Sequence, residues 1–239
     1  MSFTKVSSLL PALASLALGL SPLSQAATLI DNLQPTASAA SESSLDHQGK
    51  ALAFTMGADA YSVESINIRL LRMTTSTEAP NLNIGIYSSV TTANGLTIGT
   101  KLVDFAAPAN IPSSGISGIY NLLPAGAFTL SANTTYFFVM YNLVDTNPAS
   151  TNSALGWKYN TAGIATTGGV TIPDISTNAD TQVGIFPVAG DTFDNPSTWT
   201  GVSSTYNDFE LMGTLVPEPS AITLCGLMGT MALLRRRRA

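Results

Sequence analysis

The chain has 239 residues and a formal net charge of −5, with a single cysteine and a single histidine. Setting aside Lys5 and the arginines at 235–238 leaves five basic residues against fourteen acidic ones between Ala27 and Leu215, a balance that argues against nucleic acid and phosphate-rich partners. The lone Cys225 excludes an intramolecular disulfide, so stability rests on the core alone.

Residues 1–26 read as a signal peptide. Lys5 gives a weakly positive start, and Val6 to Leu20 is mostly apolar and leucine-rich. Pro22 and Ser24-Gln25-Ala26 supply the break and the small-residue cleavage pattern. Cleavage between Ala26 and Ala27 puts Ser24 and Ala26 at the two small positions; one residue later, Gln25 would fill one of them. The implied partners are an export translocase and a signal peptidase.

Residues 27–215 read as one ectodomain. Ala27 to Leu33 forms a short first strand, and Gln34 to Asp46 lacks any period and reads as a long loop or a loosely paired edge segment. Ala51 to Met56 is a candidate strand. Tyr61 to Leu71 alternates cleanly, with Ile66, Ile68 and Leu70 on one face and Asn67 and Arg69 on the other. Leu82, Ile84 and Ile86 alternate with Asn83, Gly85 and Tyr87, and Asn94-Gly95 marks a tight turn. Leu96 to Phe105 carries one strand, or two broken at Gly99. Pro108 to Gly118 is a loop, and Ile119 to Leu123 and Phe128 to Leu130 are short and ambiguous.

Thr134 to Leu143 is the strongest apolar stretch. Tyr136, Phe138 and Met140 occupy one face and Phe137, Val139 and Tyr141 the other, which predicts a central strand covered on both sides. Leu155 to Tyr159 carries Trp157, read as core. Thr161 to Thr177 and Asp191 to Thr198 read as loops around a short strand at Val183 to Phe186. Phe209 to Leu215 closes the domain in strict alternation. No segment keeps a 3.6-residue apolar period over three turns, so the expected class is all-β, a sandwich of short strands joined by Gly-, Asn- and Pro-bearing loops.

Candidate chemistry is sparse. His47, beside Asp46 and Glu42, has no second histidine or ectodomain cysteine to complete a zinc site. No serine sits in a Gly-x-Ser-x-Gly turn. Asp174, Asp180, Asp191, Asp194 and Asn195 are oxygen-rich but fit no EF-hand spacing. The expectation is no metal, no cofactor and no catalytic residue. Trp199 lies in a polar stretch, and its indole could stack on a sugar while Asp194, Asn195 and Asn207 bond its hydroxyls. A carbohydrate-binding module of an exopolysaccharide layer is therefore the alternative function. Glycoside hydrolysis is the outsider, since it needs two carboxylates facing across a cleft.

The tail has three parts. Pro217 and Pro219 hold the backbone extended around Glu218 in the motif 216–220. Residues 221–234 carry no charge and read as a short transmembrane segment, helped across a bilayer by the arginines of the basic cytoplasmic tail 235–239. Those arginines keep their end cytoplasmic and put the ectodomain outside.

Val216-Pro217-Glu218-Pro219-Ser220, the apolar run and the terminal arginines resemble the PEP-CTERM sorting signal. The resemblance covers roughly the last tenth of the chain. It implies Pro217, Glu218 and Pro219 as the recognition motif and an exosortase-type transpeptidase as processing partner. It also implies export in a Gram-negative bacterium, through an inner-membrane intermediate to the cell surface or extracellular matrix. The ectodomain resembles the choice-of-anchor domains that precede such tails, most like the R type. The resemblance rests on Asp31-Asn32-Leu33, Ala53-Phe54-Thr55, Ser65 to Leu70, Asn83 to Tyr87, Thr135 to Val139 and Gly156-Trp157. It implies a jelly-roll-like domain without catalysis of its own.

Overall fold

The computed structural model describes residues 25–33, 41–44, 48–72, 82–92, 95–112, 116–142, 155–160, 164–172, 181–185, 199–201 and 206–217. Every regular element among them is a strand. In chain order these are β1 (Ala26–Asp31), β2 (Ser41–Ser44), β3 (Gln48–Thr55), β4 (Tyr61–Arg72), β5 (Leu82–Thr92), β6 (Gly95–Asp104), β7 (Gly118–Leu122) and β8 (Thr129–Leu130). They continue as β9 (Thr135–Asn142), β10 (Leu155–Asn160), β11 (Ala165–Thr166), β12 (Thr181–Ile185), β13 (Trp199–Gly201), β14 (Tyr206–Asn207) and β15 (Phe209–Leu215). Of the expected signal segment 1–26, residues 1–24 lie outside the described residues, as does the apolar run 221–234.

The strands form two antiparallel sheets. The first runs β11-β1-β15-β4-β10-β14, with β7 and β8 also paired to β4 and β2 to β10. The second runs β13-β12-β3-β9-β5-β6. Strand β4 is the spine of the first sheet, because its twelve residues accept β15 and β10 as well as β7 and β8.

Alternation explains which faces meet. Ile66, Ile68 and Leu70 of β4, Phe209 and Leu211 of β15, and Trp157 of β10 join Leu52 and Phe54 of β3, Ile84 and Ile86 of β5, and Phe138 and Met140 of β9 in one buried cluster. Phe138 is its centre. Its ring stacks on Phe209 with centroids 5.4 Å apart and meets Trp157 edge-on at 5.5 Å, so one side chain of the second sheet touches two strands of the first.

The other face of the second sheet is also buried. Ala51 and Ala53 of β3, Tyr87 of β5, Ile98 of β6, and Phe137, Val139 and Tyr141 of β9 form a second cluster. Strand β9 lies between β3 and β5 and is covered on both faces, as its unbroken apolar run predicts.

Several elements differ from the sequence reading. Residues 95–104 form one continuous strand, with irregular register opposite Tyr87 to Ser89. Gly99 does not break it. A Cβ there would sit 2.3 Å from Ser88 Oγ, so this glycine permits close approach of the two strands. Strand β2 falls in the stretch read as loop or loosely paired edge segment and β11 in a stretch read as loop, while β13 and β14 fall where no strand is expected. Each is short, and each is held by hydrogen bonds to a longer neighbour rather than by an apolar pattern of its own.

Candidate functional site

The first and last strands of the domain are neighbours. Ala26 pairs with Thr214 and Ala27 with Gly213, while Leu215 pairs with Tyr61 on the far side of β15. The Val216 N–H donates to the Ala60 carbonyl at 2.9 Å. Pro217, exposed, follows directly. The expected signal-cleavage point and the start of the expected sorting motif therefore lie at one end of one sheet. Glu218 and Pro219 lie outside the described residues.

Three loops close that end. The Asn133 N–H donates to the Gly57 carbonyl at 2.7 Å, and Thr55 and Thr171 exchange backbone bonds of 2.9 Å in both directions. Gly57 packs so closely that a Cβ would lie 2.4 Å from the Gly168 carbonyl oxygen. Gly168 and Gly169 both have positive φ, at 61° and 72°, which glycine adopts without steric cost. The result is a tight junction of small residues from which the C-terminal segment departs.

The exposed face of the first sheet carries a polar row across four strands. Asn121 on β7 donates to Asn67 Oδ1 on β4 at 2.8 Å, Asn67 donates to Glu210 Oε2 on β15 at 2.6 Å, and Thr28 on β1 donates to Glu210 Oε1 at 3.1 Å. Beside it, Thr214 donates to Glu64 at 2.8 Å. Both oxygens of Glu210 are engaged by neighbouring side chains.

A buried polar cluster lies between β4 and the β14–β15 junction. Arg69 Nε stands 3.7 Å from Asp208 Oδ2, and their side chains are 5 % and 0 % exposed. The Trp157 indole donates to the Asp208 carbonyl at 2.9 Å, and the Phe209 N–H donates to Asn32 Oδ1 at 2.9 Å. Arg72 donates to the Ile111 carbonyl at 3.2 Å. Sequence alternation correctly turns Arg69 away from the main core but does not reveal its burial, because Asp208 reaches it from 139 residues further along the chain.

The expected glycan-contact residues do not assemble into one described surface. Trp199 begins β13 at an edge of the second sheet, with its backbone opposite Gly184. Asn207 belongs to β14 of the first sheet, is buried, and donates to the Trp157 carbonyl at 3.5 Å. Its amide thus braces Trp157 instead of facing outward. Asp194 and Asn195, like His47, Asp174, Asp180 and Asp191, lie outside the described residues.

Two shallow concavities accompany these features. One, of about 450 Å³, lies between Ala106–Asn110 and β7 and has no ionisable lining residue besides Tyr120. The other, of about 300 Å³, is bordered by Lys101 and Asp104. Neither brings two carboxylates face to face, which acid–base cleavage of a glycoside needs. Among the described residues no three His, Cys, Asp or Glu side chains converge on a point.

Comparison of the chain with protein-family models, with curated proteins and with solved structures finds no match. No helix among the described residues is long and apolar enough to cross a membrane.

Proposed function

We propose that this is an exported surface or extracellular-matrix protein, sorted through its C-terminal tail and then anchored or released, with a jelly-roll-like β-sandwich as passenger and no catalysis of its own. The observation that carries the reading is the sequence 216–238: a stiff Pro-Glu-Pro step, an uncharged apolar run and four arginines, in that order. A motif meant for a processing enzyme must be reachable. Support comes from Pro217, which is exposed one residue after a backbone bond that fixes Val216 to the folded domain. The polar row on the first sheet supports a surface role, since its hydrogen-bonding groups are largely satisfied by one another.

In this reading a signal peptidase cuts between Ala26 and Ala27 after translocation. The apolar run 221–234 holds the chain in the inner membrane as an intermediate. A membrane-embedded transpeptidase then acts at Pro217-Glu218-Pro219, and the domain passes to the cell surface or matrix of a Gram-negative bacterium. The test is transfer of function. Residues 216–239 fused to an unrelated exported reporter, expressed in the native host, should give a reporter with a trimmed C-terminus in the surface or medium fraction. A reporter that keeps an intact Arg235 to Arg238 end would overturn the proposal.

A further inference from the structure

The departure point of the tail also fixes which end of the domain meets the membrane. We propose that the loop end built from residues 57–60, 131–134 and 167–171 lies against the lipid headgroup layer while the tail is intact. This inference rests on reading residues 221–234 as the membrane segment.

The argument is one of reach. Only Glu218, Pro219 and Ser220 separate Pro217 from the apolar run. Four Cα steps span at most about 14 Å. The headgroup region on each side of a bilayer is roughly 5–8 Å thick. The hydrogen bond from Val216 to Ala60 removes any further slack, because it ties the last residues of the domain to the loop 57–60. The bonds from Asn133 to Gly57 and between Thr55 and Thr171 bind the other two loops to the same place. Strand β4 starts at this end with Tyr61 and carries the fold away from it for twelve residues, about 35 Å, to Arg72.

The surface chemistry fits a headgroup contact imposed by the tether rather than by charge. Its exposed residues include Ala58, Asp59, Asn133, Thr167, Gly168 and Gly169. They are small, they offer hydrogen-bonding groups to the interface, and the three loops contain no Lys or Arg to draw the domain onto anionic lipid.

The test uses the full chain reconstituted in phosphatidylcholine vesicles, with and without phosphatidylglycerol. A fluorophore is placed on Cys225, or, in a Cys225→Ala background, on Asp59→Cys or Asn110→Cys. Asn110 is exposed and adjoins Ile111, the residue that Arg72 holds at the distal end of β4. A headgroup nitroxide lipid should quench the dye at position 59 and leave the dye at position 110 unquenched, in both lipid mixtures. An acyl-chain nitroxide lipid should quench the dye on Cys225. Quenching at Cys225 without quenching at position 59, or equal quenching at positions 59 and 110, would overturn the orientation and leave the tail reading standing. An unquenched Cys225 would overturn the tail reading and the orientation with it. Quenching at position 59 that vanishes with anionic lipid would contradict placement by the tether.

Discussion

Ala27 and Gly213 are cross-strand partners, 186 positions apart in the chain and side by side in the first sheet. The pairing of β1 with β15 closes the ends of the domain against each other. It also means that the last strand has a neighbour on each side, β1 and β4, before the chain reaches Pro217. A segment pulled on by the proposed membrane tether would thus begin from a doubly paired strand rather than from an edge.

Phe138 should be the most sensitive single core position of the second sheet. It is fully buried and meets Phe105, Trp157 and Phe209. Phe138→Ala removes most of a ring from the contact between sheets and should cost about 3–5 kcal/mol. Denaturant melts of the two proteins measure it, and a loss below about 1 kcal/mol would contradict this placement of the core.

The Arg69–Asp208 pair should behave as a buried ion pair. Asp208→Ala removes the carboxylate beside a guanidinium only 5 % exposed, and removal of one partner of a buried pair costs about 3–5 kcal/mol. The double variant Arg69→Met/Asp208→Ala should recover part of that loss, since the remaining charge is gone. A double-mutant cycle in urea checks it. Strictly additive losses would show that the two groups do not interact.

Much of the strand content was legible because it is written locally. The alternation in Tyr61 to Leu71 gives the inner face of β4, and apolar residues at every position of Tyr136 to Tyr141 give a strand covered on both sides. Strand order was not legible. Nothing near Ala27 announces Gly213, and nothing near Arg69 announces Asp208. The short strands β2, β11, β13 and β14 escape a sequence reading for the same reason, since their pairing partners define them. Of the candidate site, the tail motif is a reading of the sequence alone, and its residues beyond Pro217 lie outside the described residues. The burial of Asn207 was not legible, because it follows from the distant Trp157 that it braces.

Lys50 gives the fold a pH signature. It sits on β3 facing the main core side, 8 % exposed, and burial lowers its pKa below the ordinary lysine value. The folded state then sheds this proton at lower pH than the unfolded chain does. Between the two pKa values the unfolded state binds more protons, so this group's contribution to stability rises with pH up to the ordinary value of about 10.4. At lower pH both states are charged and the full cost of burying the ammonium is present. Lys50→Met should therefore flatten the alkaline limb of stability against pH relative to wild type. Urea melts across that range measure it, and parallel curves for the two proteins would contradict the assignment.

The most direct test of the proposed function is the C-terminal mass of the mature protein from its native host. Wild-type protein should end upstream of Arg235, trimmed within or near the motif Pro217-Glu218-Pro219. The triple variant Pro217→Ala/Glu218→Ala/Pro219→Ala should still begin at Ala27, because export precedes processing, and should retain its full tail. Identical trimmed termini for wild type and variant would contradict the account.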